Sequence, residues 1–287
     1  MPDANLKGKF CGGNSVGESL TDAVLNVFRI SGVAWALTVH KAAQAYHQGS
    51  TAERPDVPSP GAAPSFPALE AGMMETAEAE LLRAGIVDGH GALSQQWLLA
   101  AWISAFAPLK AVCVVQSDEE SVHTEIALAG GRGVGVTYSR RVRHRRGVEV
   151  AEVRNAVEIC FFAEENAWAA LKRHLPDTGR VPEVPEPGTS RSAGYSDAAT
   201  DARYTVHVEV AAHPAASRPV ALADGPAAGR VSKDVWVLAE ELYSVSIAAS
   251  GEDSELTLVS PGDIGQTFAW RLLGAREYLA SAAEQAA

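Results

Sequence analysis

The spacing of hydrophobic residues divides the chain into helical segments and strand segments. Residues 23–30, "AVLNVFRI", have the β-branched and aromatic content of a strand, and residues 31–46 place their apolar side chains at helical spacing. The segment 51–67 contains five prolines and is predicted to be a loop. Helices are predicted near residues 32–47, 67–84, 94–107, 164–175 and 261–283.

Turn and capping residues support the ends of these helices. Gly85 is well placed to take the left-handed conformation that ends a helix, and Ser94 can cap the helix that follows. Pro108 should end that next helix, because its nitrogen has no hydrogen to donate. The run 260–263, "SPGD", gives the last helix an N-cap, a proline in the first turn and an early carboxylate.

Alternating apolar and polar residues predict strands in both parts of the chain. The segments "KAVCVVQS", "VHTEIALA", "GVGVTYS" and "GVEVAEVRNAVEICFF" are joined by short polar or glycine-rich turns, which is typical of an antiparallel meander. Further strands are predicted at 203–210, from about 230 to 249 and at 254–260, although "KDVWVLAEELYS" fits a helix equally well. The predicted fold class is therefore α+β: an antiparallel sheet built from two similar halves, with helices packed on it.

Composition predicts a tail and a linker around these elements. Residues 1–21 are predicted to be a flexible tail, and residues 22–287 a single α+β domain. Within that domain, halves 22–176 and 203–287 are joined by a stretch at 177–202 that is rich in Pro, Gly, Ser and Asp and has no apolar period. Such a composition is typical of a linker.

Composition and net charge argue against several classes of protein. Hydrophobic residues make up 47% of the 287 residues, enough to form a core. The net charge of −11 argues against a general nucleic-acid or anionic-membrane binder, since those proteins carry excess Lys and Arg. The three cysteines form no CxxC pair, and no apolar run approaches the roughly 20 residues that cross a bilayer. We expect a soluble, cytoplasmic protein, a monomer or homodimer, with no membrane partner.

Three short motifs resemble catalytic or ligand-binding patterns but lack the context that the chemistry needs. "GNSVG" (13–17) places Ser15 as in a nucleophile elbow, but it lies in the predicted tail with no strand before it. "HTE" (123–125) lacks the P-C-x-x-C element of zinc deaminases. "GGRGVG" (130–135) leads into a strand and is predicted to be a hairpin turn, not a phosphate cradle. We therefore predict no catalytic residue, no metal and no cofactor.

An arginine-rich segment, "SRRVRHRRG" (139–147), stands out in an otherwise acidic chain. Closely spaced guanidinium groups repel one another unless solvent or anions surround them. The segment is interpreted as an exposed hairpin tip, with docking of an acidic partner or nucleic acid as the alternative. That alternative would make the chain a small-molecule or nucleic-acid binding module, and it would use Arg140, Arg141, Arg143, Arg145 and Arg146.

The order of these elements resembles the EspG family, the ESX secretion-associated proteins of actinobacteria. The strand and Trp-containing helix at 26–37, "NVFRISGVAWAL", are similar to the start of that family. Residues 81–108, "LLRAGIVDGHGALSQQWLLAAWISAFAP", resemble its helix, Gly-Ile/Val-Val-Asp turn and Pro-terminated helix. "GRV" (229–231) and "LTLVSPGDI" (256–264) fit its C-terminal end. The resemblance covers roughly 22–176 and 203–280.

The resemblance implies a binding protein, not an enzyme. EspG proteins are cytosolic chaperones of type VII (ESX) secretion that recognise PE–PPE heterodimers and keep them soluble. The family's substrate-reaching loop maps onto Asp118, Glu119 and Glu120, and His123 and Glu125 are included as candidate partner-binding residues. Family members also carry a helical bundle between the halves, whereas residues 177–203 are too short and too rich in Pro and Gly to form one.

Overall fold

The computed structural model describes most of the region that the sequence assigns to the domain. Its described residues are 25–50, 72–144, 148–178, 181, 190–193, 202–214, 229–247 and 254–285. Several predictions concern residues outside these ranges: the tail with Ser15, the proline-rich segment 51–67, most of the linker 177–202, and Arg145 and Arg146.

In the part of the chain that the structure describes, ten strands form a single sheet in which every neighbouring pair is antiparallel. The strand order is β1-β5-β4-β3-β2-β7-β8-β9-β10-β6. The predicted α+β class and antiparallel sheet are therefore confirmed. The strands are β1 (Asn26–Ile30), β2 (Leu109–Gln116), β3 (Glu120–Ala129), β4 (Arg132–His144), β5 (Val148–Ala163), β6 (Ser190–Ala193), β7 (Tyr204–Ala212), β8 (Arg230–Leu238), β9 (Leu242–Ile247) and β10 (Ser254–Leu258).

The helices follow the predicted periodicity closely. Within the described ranges they are α1 (Gly32–Ser50), α2 (Met73–Arg83), α3 (Gln95–Phe106), α4 (Ala167–Lys172) and α5 (Asp263–Gln285), with a short 3-10 turn at Glu164–Asn166 before α4. The helix predicted at 164–175 is thus shorter than expected. Ser94 occupies the N-cap position of α3, but its hydroxyl oxygen accepts no capping hydrogen bond from the helix amides. Its backbone carbonyl instead accepts hydrogen bonds from the amides of Trp97 and Leu98.

One segment confirms the strand prediction and another differs from it. Strands β8 and β9, joined at 239–241, lie within the run from about 230 to 249, so the strand prediction holds there and the helical alternative for "KDVWVLAEELYS" is wrong. The stretch predicted as a linker contains β6, which pairs with β10 at the edge of the sheet. The sequence of β6, "SRSA", is short and mostly polar, so no apolar period marks it as a strand.

The glycine-rich segment forms the predicted hairpin turn. Gly130 and Gly131 join β3 to β4 with positive φ values of 59° and 75°, which L side chains rarely adopt. Gly133 serves packing, because a Cβ at that position would lie 2.0 Å from the ring of Phe162 on β5. The glycines of this segment therefore shape a hairpin and make room for an aromatic ring.

Side chains alternate between two faces of the sheet, and each face has its own core. On the first face, termed face A, α4 and α5 cover Cys113, Val208, Trp236 and their neighbours. Trp236 is 1% exposed, and its indole nitrogen donates a 2.8 Å hydrogen bond to Asp263 at the start of α5. This contact fixes the last helix on face A.

On the second face, termed face B, helices α1, α2 and α3 cover the part of the sheet formed by β1, β5, β4 and β3. Trp97 of α3 is buried at the centre, with its ring centroid 4.9 Å from that of Phe161 and 5.2 Å from that of Phe28. Leu81 and Ile86 are fully buried beside it. The Gly-Ile-Val-Asp turn and its flanking helices therefore have a packing role.

Candidate binding surface

Helices cover face B unevenly. The described helices on this face pack against β3, β4 and β5, whereas α5, the helix that packs on β7 and β8, lies on face A. No described helix makes extensive contact with face B of β7 to β10. Strands β7 to β10 therefore have one face, face B, against which no described helix packs extensively.

The ladder registers identify the side chains of this area. Val114 of β2 lies opposite His207 of β7, His207 lies opposite Val235 of β8, and Val235 lies opposite Val245 of β9. Val112 is two residues from Val114 and points to the same side. All of these side chains are half-buried. We call this area the platform; it consists of Val112, Val114, His207, Val235 and Val245.

Polar groups border the platform. On the side of β3, His123 lies opposite Val114, and its ring stacks on that of Tyr138 at 5.2 Å between centroids. Burial lowers the pKa of His123, and the positive charge of Arg140 lowers it further. Burial also lowers the pKa of His207. Both rings are therefore uncharged at neutral pH. The platform is therefore apolar along Val114, Val235 and Val245, whereas Glu125 and Glu209 lie opposite Val112 on its two sides.

The contact between Ser121 and His123 does not form a reactive pair. The Ser121 hydroxyl lies 3.1 Å from Nε2 of His123, but Ser121 is 4% exposed and cannot reach a substrate. Glu125, the next residue on the same side of the strand, is exposed to solvent. The structure therefore places these two predicted candidates, His123 and Glu125, beside the platform on face B.

The predicted acidic loop is a tight turn at the same end of the sheet as the β4–β5 hairpin. The amide of Ser117 donates a 2.8 Å hydrogen bond to the Glu120 carbonyl, and Asp118 and Glu119 at the tip are exposed. Glu120 is not free, because its carboxylate lies 3.2 Å from the guanidinium of Arg154. Asp118 and Glu119 therefore expose their charges to solvent at this turn, whereas Glu120 is paired.

Residues 139–144 of the arginine segment belong to β4, whose pairing with β5 is interrupted by two register shifts. Arg141 lies opposite both Glu120 of β3 and Glu152 of β5, and its guanidinium is 3.7 Å from the Glu152 carboxylate. Arg143 is paired in register with Glu149. Glu152 thus offsets part of this positive charge, and the acidic turn and the described arginines of β4 are neighbours on one end of the sheet.

Arg140 differs from the other arginines because it packs against an aromatic ring. Its guanidinium carbon lies 5.1 Å from the centroid of the Tyr138 ring, and it donates a 3.3 Å hydrogen bond to the Tyr138 hydroxyl. A guanidinium over an aromatic face is held by a cation–π interaction. Arg140 therefore supports the Tyr138 and His123 stack beside the platform.

A charged cluster lies on face A, away from the platform. Glu158 of β5 is 9% exposed and accepts contacts from Arg29 at 3.1 Å, Arg173 at 3.0 Å and His174 at 3.4 Å. The hydrogen bond from His174, together with the two arginines, lowers the pKa of Glu158 to about 2. The cluster joins β1 and the end of α4 to the sheet, so it stabilises the fold.

This lowered pKa gives the stability a defined pH dependence. A carboxylate whose pKa is depressed in the folded state stabilises the fold above its unfolded pKa of 4.5 and loses that contribution as pH falls toward about 2. Replacing Glu158 with Gln should lower the free energy of unfolding by about 1–3 kcal/mol near pH 7. The difference between wild type and variant, measured by urea unfolding, should shrink steadily as the pH is lowered. A difference that stays constant with pH would contradict the assignment.

Cys113 and Cys160 are buried free thiols. Burial raises the pKa of Cys113 to about 12 and also raises that of Cys160, so both thiols stay protonated at neutral pH. In the described ranges, no group of three or more His, Cys, Asp and Glu side chains could hold a metal ion. None of the described helices combines the length and apolarity that crossing a membrane requires.

Comparison with known proteins gives no relative from which a function could be carried over. The chain matches no protein-family model and no curated protein sequence. Its function is therefore inferred from the platform and the residues around it.

Proposed function

We propose that this protein is a non-enzymatic chaperone or adaptor that binds an apolar segment of a partner protein on the platform. The observation that carries the proposal is the uneven covering of face B, which leaves half-buried valines of β2, β8 and β9 without a described helix over them. Apolar area removed from water contributes about 25 cal/mol per Å² to such a complex. With the resemblance to EspG proteins, the proposed partner is a PE–PPE-like substrate of type VII secretion, bound in the cytoplasm.

The strand order supports the EspG-like arrangement of two similar halves. From one edge the order is β1 and then β5 to β2, and from the other edge it is β6 and then β10 to β7. In each half an edge strand pairs with the last strand of a four-stranded meander. A helix follows each meander, α4 after β5 and α5 after β10.

The same comparison accounts for the absence of a described helix over the platform. Residues 31–108 connect β1 to β2, and this connection contains α1, α2 and α3, which cover face B of the first half. The equivalent connection from β6 to β7 consists of residues 194–203 alone, too short for three helices. We propose that the helical tip of the partner occupies, on the second half, the place that α1 to α3 occupy on the first.

Charge at the end of the sheet should guide the partner. Interface charges at a rim mainly steer association, while apolar contacts hold the complex. Asp118 and Glu119 are exposed at the acidic turn. Replacing both with Lys should slow association of a PE–PPE-like partner by about 3- to 10-fold at low salt, with a smaller effect at high salt because ions screen exposed charges. Surface plasmon resonance at two salt concentrations measures this.

Arginine variants provide the matched control for that experiment. Replacing Arg141 and Arg143 with Ser should leave binding of the same partner largely intact, because Glu152 and Glu149 already lie opposite these side chains. If the arginine variant alone loses binding, the acidic turn is not the steering element. If wild type binds a DNA or RNA oligonucleotide with a steep salt slope, the arginine-based alternative replaces the chaperone proposal.

Co-expression tests the proposed function itself. A PE–PPE pair that aggregates when expressed alone should be recovered in the soluble fraction, in a stoichiometric complex, when the wild-type chain is present. The variant Val114→Asp with Val235→Asp should not rescue it. Equal recovery with and without the wild-type chain, across PE–PPE pairs from the same genome, would contradict the proposal.

A further inference from the structure

The outer surface of α5 carries an exposed tryptophan. Trp270 is 71% exposed, the highest value for a large hydrophobic residue among those described, and Leu273, about one helical turn further on, is 46% exposed. Neither residue contributes to the core on face A. Tryptophan is enriched among the residues that dominate binding energy at protein interfaces.

Beside these two residues lies a groove between α5 and the strands β7 and β8. The groove has a volume of about 390 Å³, and its walls include Arg230, Ser232, Trp270, Leu273, Gly274 and Glu277. Because α5 lies on face A, the groove and the platform are on opposite faces of the sheet. The two surfaces can therefore be occupied at the same time.

Arg230 places a positive charge in this groove. Its guanidinium donates a 3.2 Å hydrogen bond to the Gly274 carbonyl on α5. No described carboxylate lies within ion-pair distance of Arg230. Its neighbours on α5 differ, because Arg271 is bound to Asp234 at 2.6 Å and Arg276 to Glu164 at 2.7 Å.

We propose that this groove binds an extended segment of a partner protein in which an aliphatic or aromatic residue is adjacent to Asp or Glu. The apolar side chain packs against Trp270 and Leu273, and the carboxylate accepts hydrogen bonds from Arg230. A guanidinium fork matches a carboxylate in shape and charge, which makes an acidic side chain the complementary group.

Glu277 sets the direction of the bound segment. Along α5, Trp270 comes before the Gly274 position that Arg230 contacts, and Glu277 lies about one turn beyond that position. A second acidic residue next to Glu277 would be repelled. The segment should therefore place its apolar residue near Trp270, its acidic residue at Arg230, and a neutral or basic residue towards Glu277.

A peptide library tests this inference on the intact chain. Phage-displayed random dodecapeptides are selected on wild type, and the enriched peptides are then measured by fluorescence anisotropy against Trp270→Ser and Arg230→Gln. The matched control is Trp102→Ser, which changes an exposed tryptophan on α3, a helix on the other face. Circular dichroism confirms that each variant is folded.

The expected result is a set of peptides with an acidic residue beside an apolar one. Their affinity should fall at least about 10-fold for each groove variant, the loss expected for one charge-assisted or aromatic contact, and stay unchanged for the control. Replacing the acidic residue of the peptide with Lys should abolish binding. The inference is overturned if no enriched peptide loses affinity in both groove variants, or if the Lys peptides bind equally well. Because Trp270 and Arg230 lie outside the platform, failure here leaves the chaperone proposal unaffected.

Discussion

Binding of a PE–PPE-like partner should be lost when aspartate replaces Val114 and Val235. Both valines are half-buried on the platform and lie on opposite sides of His207. The substitution removes apolar contacts and forces two charges into a surface that the partner would desolvate, which costs well over 1 kcal/mol at each position. We expect the dissociation constant to rise by about 100-fold or more, measured by isothermal titration calorimetry.

A valine outside the platform provides the control for this prediction. Val27 of β1 is 38% exposed and lies on the edge strand at the far side of the sheet. Val27→Asp should bind the partner with an affinity within about 2-fold of wild type, because it changes no platform contact. If Val27→Asp weakens binding as much as the platform variant, the lost affinity reflects general disturbance of the sheet.

The largest expected effect on stability is that of Trp236→Ala. Trp236 is 1% exposed, fills the core under α5, and donates the hydrogen bond that holds Asp263 at the start of that helix. Replacing a fully buried aromatic residue with Ala leaves a cavity and typically costs about 3–5 kcal/mol. Urea unfolding should therefore show a loss of this size in the free energy of unfolding.

Two further tryptophan variants show whether burial is the cause. Trp236→Phe keeps a ring in the core but removes the indole donor, so a smaller loss of about 1–3 kcal/mol is expected. Trp270→Ala changes an exposed residue of α5 and should alter stability by less than about 0.5 kcal/mol. Equal losses for Trp236→Ala and Trp270→Ala would contradict the packing described for face A.

Periodicity predicted the main elements because their burial pattern is regular. The helices α1, α3 and α5 each have an apolar side that packs on the sheet. Their apolar residues therefore recur at helical spacing, and this spacing predicts a helix. The strand β6 was missed for the opposite reason. It is short, it lies at the edge, and three of its four residues are polar, so no apolar pattern marks it.

The sequence predicts only part of the candidate binding surface. In β2, the run "AVCVV" is apolar at odd and at even positions, which is typical of a strand covered on both faces. The sequence also shows that the segment 177–203 cannot supply a helical bundle. What it does not show is the pairing of β2 with β7, which places Val114 beside His207 and joins the two parts of the platform.

The charged segments illustrate a second limit of sequence reasoning. The sequence presents an acidic turn and an arginine-rich hairpin as two separate loops of opposite sign. In the structure Glu120 lies opposite Arg141 but contacts Arg154 of β5, and Arg141 contacts Glu152 of β5, so residues of β5 neutralise part of each charge. Register between neighbouring strands determines this, and register depends on the packing of the whole sheet.

Site-specific photocrosslinking tests the platform most directly. A benzoylphenylalanine is introduced in turn at two platform positions, Val114 and Val235, and at Leu82 of α2, a side chain that is 53% exposed. Each variant is irradiated in complex with a co-expressed PE–PPE pair, and the crosslinked peptides are identified by mass spectrometry. We predict crosslinks from Val114 and Val235 to the helical tip of the PPE protein and none from Leu82. Crosslinks from Leu82 alone, or a stable complex without any crosslink from the platform, would contradict this account.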